Sequence, residues 1–271
     1  MGKRHPRRFH SENNCQANTC YPQVNTVLPT ITPTTAPSQP RIECADYRNF
    51  LHSLDRNSVD LVLTDPPYSV SRKTGFGSVK TGVQRFAVSM DFGEWDHRQI
   101  DLDALAQEAY RVLRRGGTAI VWYDLWKISH LYDALSNAGF KMLRLVVWNK
   151  TNPVPLNSKC TYLSNSRETA VVGVKGGSPA FNSAYDSGDY AYPIPRHGGK
   201  RIHPTQKPLD LFRELIRKHS ERGAMVIDPF LGSGTTAVAA LQEGRMFAGC
   251  DIDDYYTQAA ISRIQEEISE L

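Results

Sequence analysis

Two short runs in this 271-residue chain combine residue types and spacings that can do chemistry. The first, Thr64-Asp65-Pro66-Pro67-Tyr68, closes the apolar run Val59 to Thr64. Consecutive prolines fix the backbone and remove two N–H donors, so the carbonyls here are rigid and free of local pairing. A carboxylate beside a rigid carbonyl is a two-acceptor clamp for a planar amino group with two hydrogens to donate. The adjacent Tyr68 offers a face on which a ring can stack. The second run, Asp228-Pro229-Phe230-Leu231-Gly232-Ser233-Gly234-Thr235-Thr236, sits between an apolar strand and a helix. Its glycines allow a tight turn and close backbone approach, and the helix start presents free N–H groups. The Gly232-x-Gly234 spacing lacks the third glycine of a dinucleotide fingerprint, and no Gly-Lys-Ser/Thr follows, so it is not a phosphate loop. Asp251, about twenty residues on, ends the next apolar run, where an acid commonly accepts hydrogen bonds from ribose hydroxyls. The pair predicts an adenosine-containing cofactor next to an amino-group clamp.

Positioning these runs takes a sheet. Apolar stretches predict strands at Arg41–Ala45, Val59–Thr64, Thr118–Tyr123, Met142–Trp148, Glu168–Val174, Met225–Ile227 and Met246–Cys250. Between them lie helical periodicities: Asn49 to Leu54, Asp101 to Leu113 closed by Gly116-Gly117, and a stripe of Leu125, Ile128, Leu131 and Leu135. Further on come a helix opened by Pro208, Thr235 to Glu243 ended by Gly244, and Tyr255 to about Ile268. Seven strands mostly alternating with helices predict an α/β fold, a doubly wound sheet whose ligands sit at the carboxyl ends of strands. Stretches 70–98 and 150–205 interrupt the alternation, apart from one strand in the second, and are too long for plain connectors.

Charge and composition narrow the class. Of 32 basic and 28 acidic residues, 5 and 1 fall within residues 1–41, leaving 27 of each in the rest, so the net +4 resides in the leading segment. Bulk charge therefore does not argue for a polyanionic partner; a local basic surface must. Residues 1–40 are aperiodic and rich in Pro and Thr, and read as a flexible tail beside one catalytic domain at 41–271. The five-residue spacing of His5, His10, Cys15 and Cys20 fits no zinc knuckle, and no metal site is expected. No apolar run approaches the ~20 residues of a membrane span. No apolar segment follows basic Met1 to His10, so no secretory leader is expected. Five scattered cysteines suit a reducing compartment, which predicts a cytoplasmic protein.

The four-part order of these motifs resembles the amino-group DNA methyltransferases that use S-adenosylmethionine, in the class whose catalytic motif precedes the cofactor motif. The resemblance covers roughly residues 41–260. It implies a class I methyltransferase sheet with permuted motif order, and inserted loops that recognise DNA. Asp65-Pro66-Pro67-Tyr68 matches the catalytic tetrapeptide and Asp228 to Thr236 the cofactor loop. His203-Pro204-Thr205-Gln206-Lys207-Pro208 matches the segment lining the methionine end of the site. Asp46, in Cys44-Ala45-Asp46, matches an aspartate near the adenine, although the family usually has glycine just before it. The implied cofactor-binding residues are Asp46, Asp65, His203, Thr205, Gln206, Lys207, Asp228, Phe230, Gly232, Ser233, Gly234, Thr235, Thr236 and Asp251.

The implied reaction is methyl transfer to the exocyclic N6 of an adenine flipped out of double-stranded DNA and stacked on Tyr68. Aspartate at the first tetrapeptide position is typical of the family's adenine enzymes. Cytosine N4 on the same scaffold, an RNA or protein amide substrate, and a catalytically inactive or partner-dependent DNA-binding protein remain alternative readings. The resemblance also leaves open a homodimer, and a cognate restriction endonuclease in a bacterial or phage setting. DNA recognition is expected from Arg72, Lys73, Lys80 and Arg85, and from Lys150, Lys159, Arg167, Arg196, Lys200 and Arg201 beside Tyr185, Tyr190 and Tyr192.

Overall fold

A computed structural model describes residues 39–67, 100–153, 163–195 and 206–269. Its strands are β1 (Arg41–Cys44), β2 (Val59–Thr64), β3 (Leu113–Tyr123), β4 (Lys141–Lys150), β5 (Arg167–Val174), β6 (Asp189–Tyr192), β7 (Met225–Asp228) and β8 (Met246–Asp251). The helices are α1 (Tyr47–His52), α2 (Leu102–Val112), α3 (Ile128–Ala138), α4 (Leu209–His219), α5 (Thr235–Gln242) and α6 (Asp254–Ser269). The strands form one sheet in the order β1-β8-β7-β2-β3-β5-β4-β6. Every neighbouring pair is parallel except the two made by β5, which runs against both β3 and β4.

The VDLVLT run of β2 lacks polar alternation because both faces are covered. Leu61 and Leu63 join a core with α4, α5 and α6, while Val59 and Val62 join a second core with α1, α2 and α3. Going from β2, the chain builds outward through β3 to β6, then returns with β7 on the other side of β2. The strand order therefore switches direction between β2 and β7, and the crevice at such a point is where doubly wound sheets bind ligands.

Three expectations need correction. The sheet has eight strands rather than seven. The extra one, β6, lies inside the stretch read as an insertion, so 150–205 contains two strands. Asp189-Tyr190-Ala191-Tyr192 is too short and polar to announce itself, and it is extended because β4 offers it a parallel partner. Second, Gly116-Gly117 does not close α2. That helix ends at Val112, because Leu113 is already extended, buried and paired with Val59. Gly116 instead bends β3 at φ +83°, where a Cβ would lie 2.5 Å from the Ser178 carbonyl oxygen. Third, Pro208 is the residue that caps α4, which begins at Leu209. Residues 1–38 and 68–99 lie outside the described residues, so the tail and the first insertion do too.

Candidate active site

The carboxyl end of β7 holds the cofactor-type loop in place. Thr64 Oγ1 donates to Asp228 Oδ1 at 2.6 Å, a hydrogen bond across the switch point between β2 and β7. Thr236 Oγ1 donates to Oδ2 at 2.5 Å and the Phe230 N–H to Oδ1 at 3.0 Å. Burial pushes the Asp228 carboxyl up to about 6 despite these three donors. At the end of β8, Asp251 Oδ2 accepts the Gly232 N–H at 2.8 Å and Oδ1 the Asp253 N–H at 3.0 Å. Gly234 turns into α5 at φ +77°, and a Cβ there would sit 3.1 Å from that of Ala260 on α6. Gly232, at φ +52°, has nothing among the described residues within 4 Å of such a Cβ. Buried Arg263 of α6 donates to the Ser233 carbonyl at 3.0 Å and to Thr235 Oγ1 at 3.1 Å.

Across the switch point, Asp65 follows β2 and is set among charges. Lys207, 4% exposed, pairs with Asp65 Oδ2 and also, at 3.1 Å, with Glu168 Oε2. Lys150 reaches the other Glu168 oxygen at 2.7 Å. Each ammonium also lies over an indole: Lys207 is 5.6 Å from the Trp122 ring centre and Lys150 5.2 Å from that of Trp148. Burial raises the Asp65 carboxyl above the ordinary range, with Lys207 opposing and the Glu168 charge adding to the rise. Glu168 moves the other way: burial opposes its charge, but Lys207 and Lys150 outweigh that and hold it low. The second Asp65 oxygen, Oδ1, is buried without a hydrogen-bond partner among the described residues. A buried acceptor left open at a ligand crevice is a place for a donor from outside the chain.

A DNA methylase family model matches residues 59–262. The Type II methyltransferase M2.DpnII of Streptococcus pneumoniae is 33% identical over 249 residues, spanning 82% of this chain and 88% of that protein. The putative methylase YubD of Escherichia coli K12 is 32% identical over 213 residues, 77% of this chain and 82% of that one. The solved structure of M1.HpyAVI with SAM superposes with a TM-score of 0.64 at 25% identity, covering 83% of this chain and 98% of the other. The chain belongs to the DNA methylase family.

This DNA methylase thus has the class I methyltransferase fold and uses S-adenosylmethionine to methylate an amino group in DNA. The residues present suit that cofactor. Asp251 and Asp46 bring two carboxylates to the ends of adjacent strands β8 and β1, joined by the Ala45 N–H to the Asp251 carbonyl at 2.8 Å. Asp46 also caps α1, accepting the Arg48 N–H at 2.8 Å. Phe230 packs its ring 4.9 Å from that of Tyr47.

Of the predicted site residues, Asp46, Asp65, Pro66, Pro67, Gln206, Lys207, Asp228, Phe230, Gly232 to Thr236 and Asp251 are among the described residues. Lys207, expected at the methionine end, is paired with Asp65 and Glu168. Tyr68, His203 and Thr205 lie outside the described residues. So do Arg72, Lys73, Lys80, Arg85, Lys159, Arg196, Lys200 and Arg201 of the expected DNA-recognition set.

Within that set, three described residues have structural work that the sequence hid. Lys150 is paired with Glu168, Tyr190 donates to Asp186 at 3.0 Å, and Tyr192 donates to Glu214 at 2.5 Å. Tyr185 is fully exposed. The sequence reading missed Glu168 and Arg263. Arg263 had a signal, a lone arginine between Ala260 and Ile264 on an apolar helix face; Glu168 had none, because its partners are far away in sequence. No group of metal ligands occurs among the described residues, and no helix of theirs is long and apolar enough to cross a membrane.

Proposed function

We propose that this methylase transfers the methyl group of S-adenosylmethionine to the exocyclic N6 of an adenine flipped out of double-stranded DNA. The observation that carries the reading is the open Asp65 Oδ1, buried beside Pro66 and across the switch point from the cofactor loop. The adenine amine is a poor nucleophile because its lone pair is delocalised into the ring. One N–H donated to Asp65 Oδ1 and the other to the Pro66 carbonyl favour a pyramidal nitrogen with that lone pair available. Bound S-adenosylmethionine supplies a methyl group on a sulfonium centre. With the amine so held, its lone pair would be the nucleophile toward that methyl group, and the proton the methylated nitrogen gives up would pass to Asp65. Asp46 and Asp251 accept from the nucleoside part of the cofactor. Phe230 and Gly232 to Thr236 border it, and Asp228 holds that loop to β2. Tyr68, His203 and Thr205 complete the set by resemblance. The aspartate that opens the tetrapeptide favours adenine over cytosine.

The test is to incubate the purified protein with S-adenosylmethionine and unmethylated plasmid, digest to nucleosides, and identify methylated bases by mass spectrometry. N6-methyladenine is the expected product, and N4-methylcytosine would overturn the base assignment. Asp65→Ala should lower transfer by roughly 10²–10³-fold while leaving cofactor binding within a few-fold. Equal transfer by the variant and the parent would overturn the clamp.

A further inference from the structure

Asp65 is flanked by a chain of alternating charges that the clamp itself does not require: Lys207, then Glu168, then Lys150. The chain exists because β5 runs against its neighbours. Its first residues, Arg167 and Glu168, therefore lie at the edge where the parallel strands β2, β3 and β4 finish. Glu168 is in register with Trp148 of β4, two residues before Lys150, and that register brings the carboxylate between the two ammonium groups.

We propose that Glu168 and Lys150 are positioning residues of the transfer reaction: by drawing Lys207 toward a second carboxylate, they keep Asp65 a strong acceptor for the incoming amine instead of one fully spent in an ion pair. The proposal rests on the clamp reading of Asp65 given above. With Glu168 in place, Lys207 divides its charge between two acids and occupies only one Asp65 oxygen. Lys150 in turn keeps Glu168 ionised, so that Glu168 can hold its share of Lys207. Without Glu168, a larger share of the Lys207 charge falls on Asp65, and a carboxylate more neutralised accepts a hydrogen bond less strongly. The groups facing Asp65 among the described residues are Lys207 from the segment before α4, Glu168 from β5 and Asp228 from β7. Asp65 and its neighbours titrate as a coupled set.

Two readouts test this. The first is a ¹³C NMR titration of the Asp65 carboxyl in the cofactor-free protein. The second is the pH dependence of single-turnover methyl transfer at saturating S-adenosylmethionine, with the pH dependence of cofactor binding measured separately. Glu168→Gln removes a like charge and concentrates Lys207 on Asp65. Its Asp65 midpoint and the acid limb of transfer should both move to lower pH, and the plateau rate should fall by about tenfold. The cofactor-binding profile, which reports on the loop acids Asp228 and Asp251, should move less than the Asp65 midpoint.

Lys150→Gln should lower the plateau less, by roughly threefold, and should add nothing in a Glu168→Gln background, because its influence passes through Glu168. If Glu168→Gln does not fold, Lys150→Gln decides alone: an unchanged Asp65 titration and an unchanged rate overturn the proposal. A uniform loss of rate with no movement of the Asp65 midpoint also overturns it, since that is what a merely structural Glu168 gives. Asp65→Ala separates the two levels. If that variant transfers methyl groups normally, the clamp itself is wrong. If it is inactive while the Glu168 and Lys150 variants match the parent, the clamp stands and the positioning role falls.

Discussion

The cofactor half of the site and the amino-group half are held together in different ways. Around the loop from Asp228 to Thr236, most bonds join residues 2 to 30 positions apart: Phe230 and Thr236 to Asp228, Gly232 to Asp251, Ser233 to Arg263. Most are hydrogen bonds to or from the backbone, so glycine turns and strand ends largely set the geometry. Around Asp65 the bonds join ionised side chains from four segments, with Lys207 and Asp65 separated by 142 positions. A backbone-built site tolerates changes in single side chains, whereas a site built from a buried charge chain depends on every member.

That contrast predicts a graded series of effects. Lys207→Met should be the most damaging to stability, because it leaves Asp65 and Glu168 as two facing acids with one fewer counter-charge. A loss of about 3–5 kcal/mol in urea unfolding at pH 7 is expected, shrinking at acid pH as the carboxylates take up protons. Arg263→Met removes donors to the Ser233 carbonyl and Thr235 Oγ1 and should cost about 2 kcal/mol, with weaker S-adenosylmethionine binding by calorimetry. If this variant proved as unstable as the first, the contrast between the halves would be broken.

Asp228 sharpens the comparison through pH. Its folded carboxyl is raised to about 6 from an ordinary 3.8, so between these values the folded state binds more protons than the unfolded one. Its contribution to stability is therefore present at low pH and falls as pH rises through that window, by at most about 1.4 kcal/mol per unit. Unfolding of Asp228→Asn across pH 4 to 7 should lack that slope. The smallest effect on stability is expected from Asp46→Ala, which in the cofactor-free protein removes the α1 cap and should cost about 1 kcal/mol in chemical denaturation.

Local chemistry explains what could be read from the chain alone. Asp65-Pro66-Pro67 and Gly232-Ser233-Gly234 have their shapes set by proline and glycine backbones, and the apolar run Val59 to Thr64 needs a two-sided cover wherever it lies. The seven expected strands are present for the same reason. The eighth was hidden because Asp189 to Tyr192 becomes a strand only when β4 is beside it. The sequence by itself thus determined the fold class, the two motifs and the cofactor type. Only the tertiary structure decided that Lys207 pairs with Asp65, that Glu168 is drawn in by the reversed β5, and that Lys150 supports an acid instead of facing outward. Charge pairing acts through space between distant segments, and composition and periodicity carry no record of which buried acid will face which buried base.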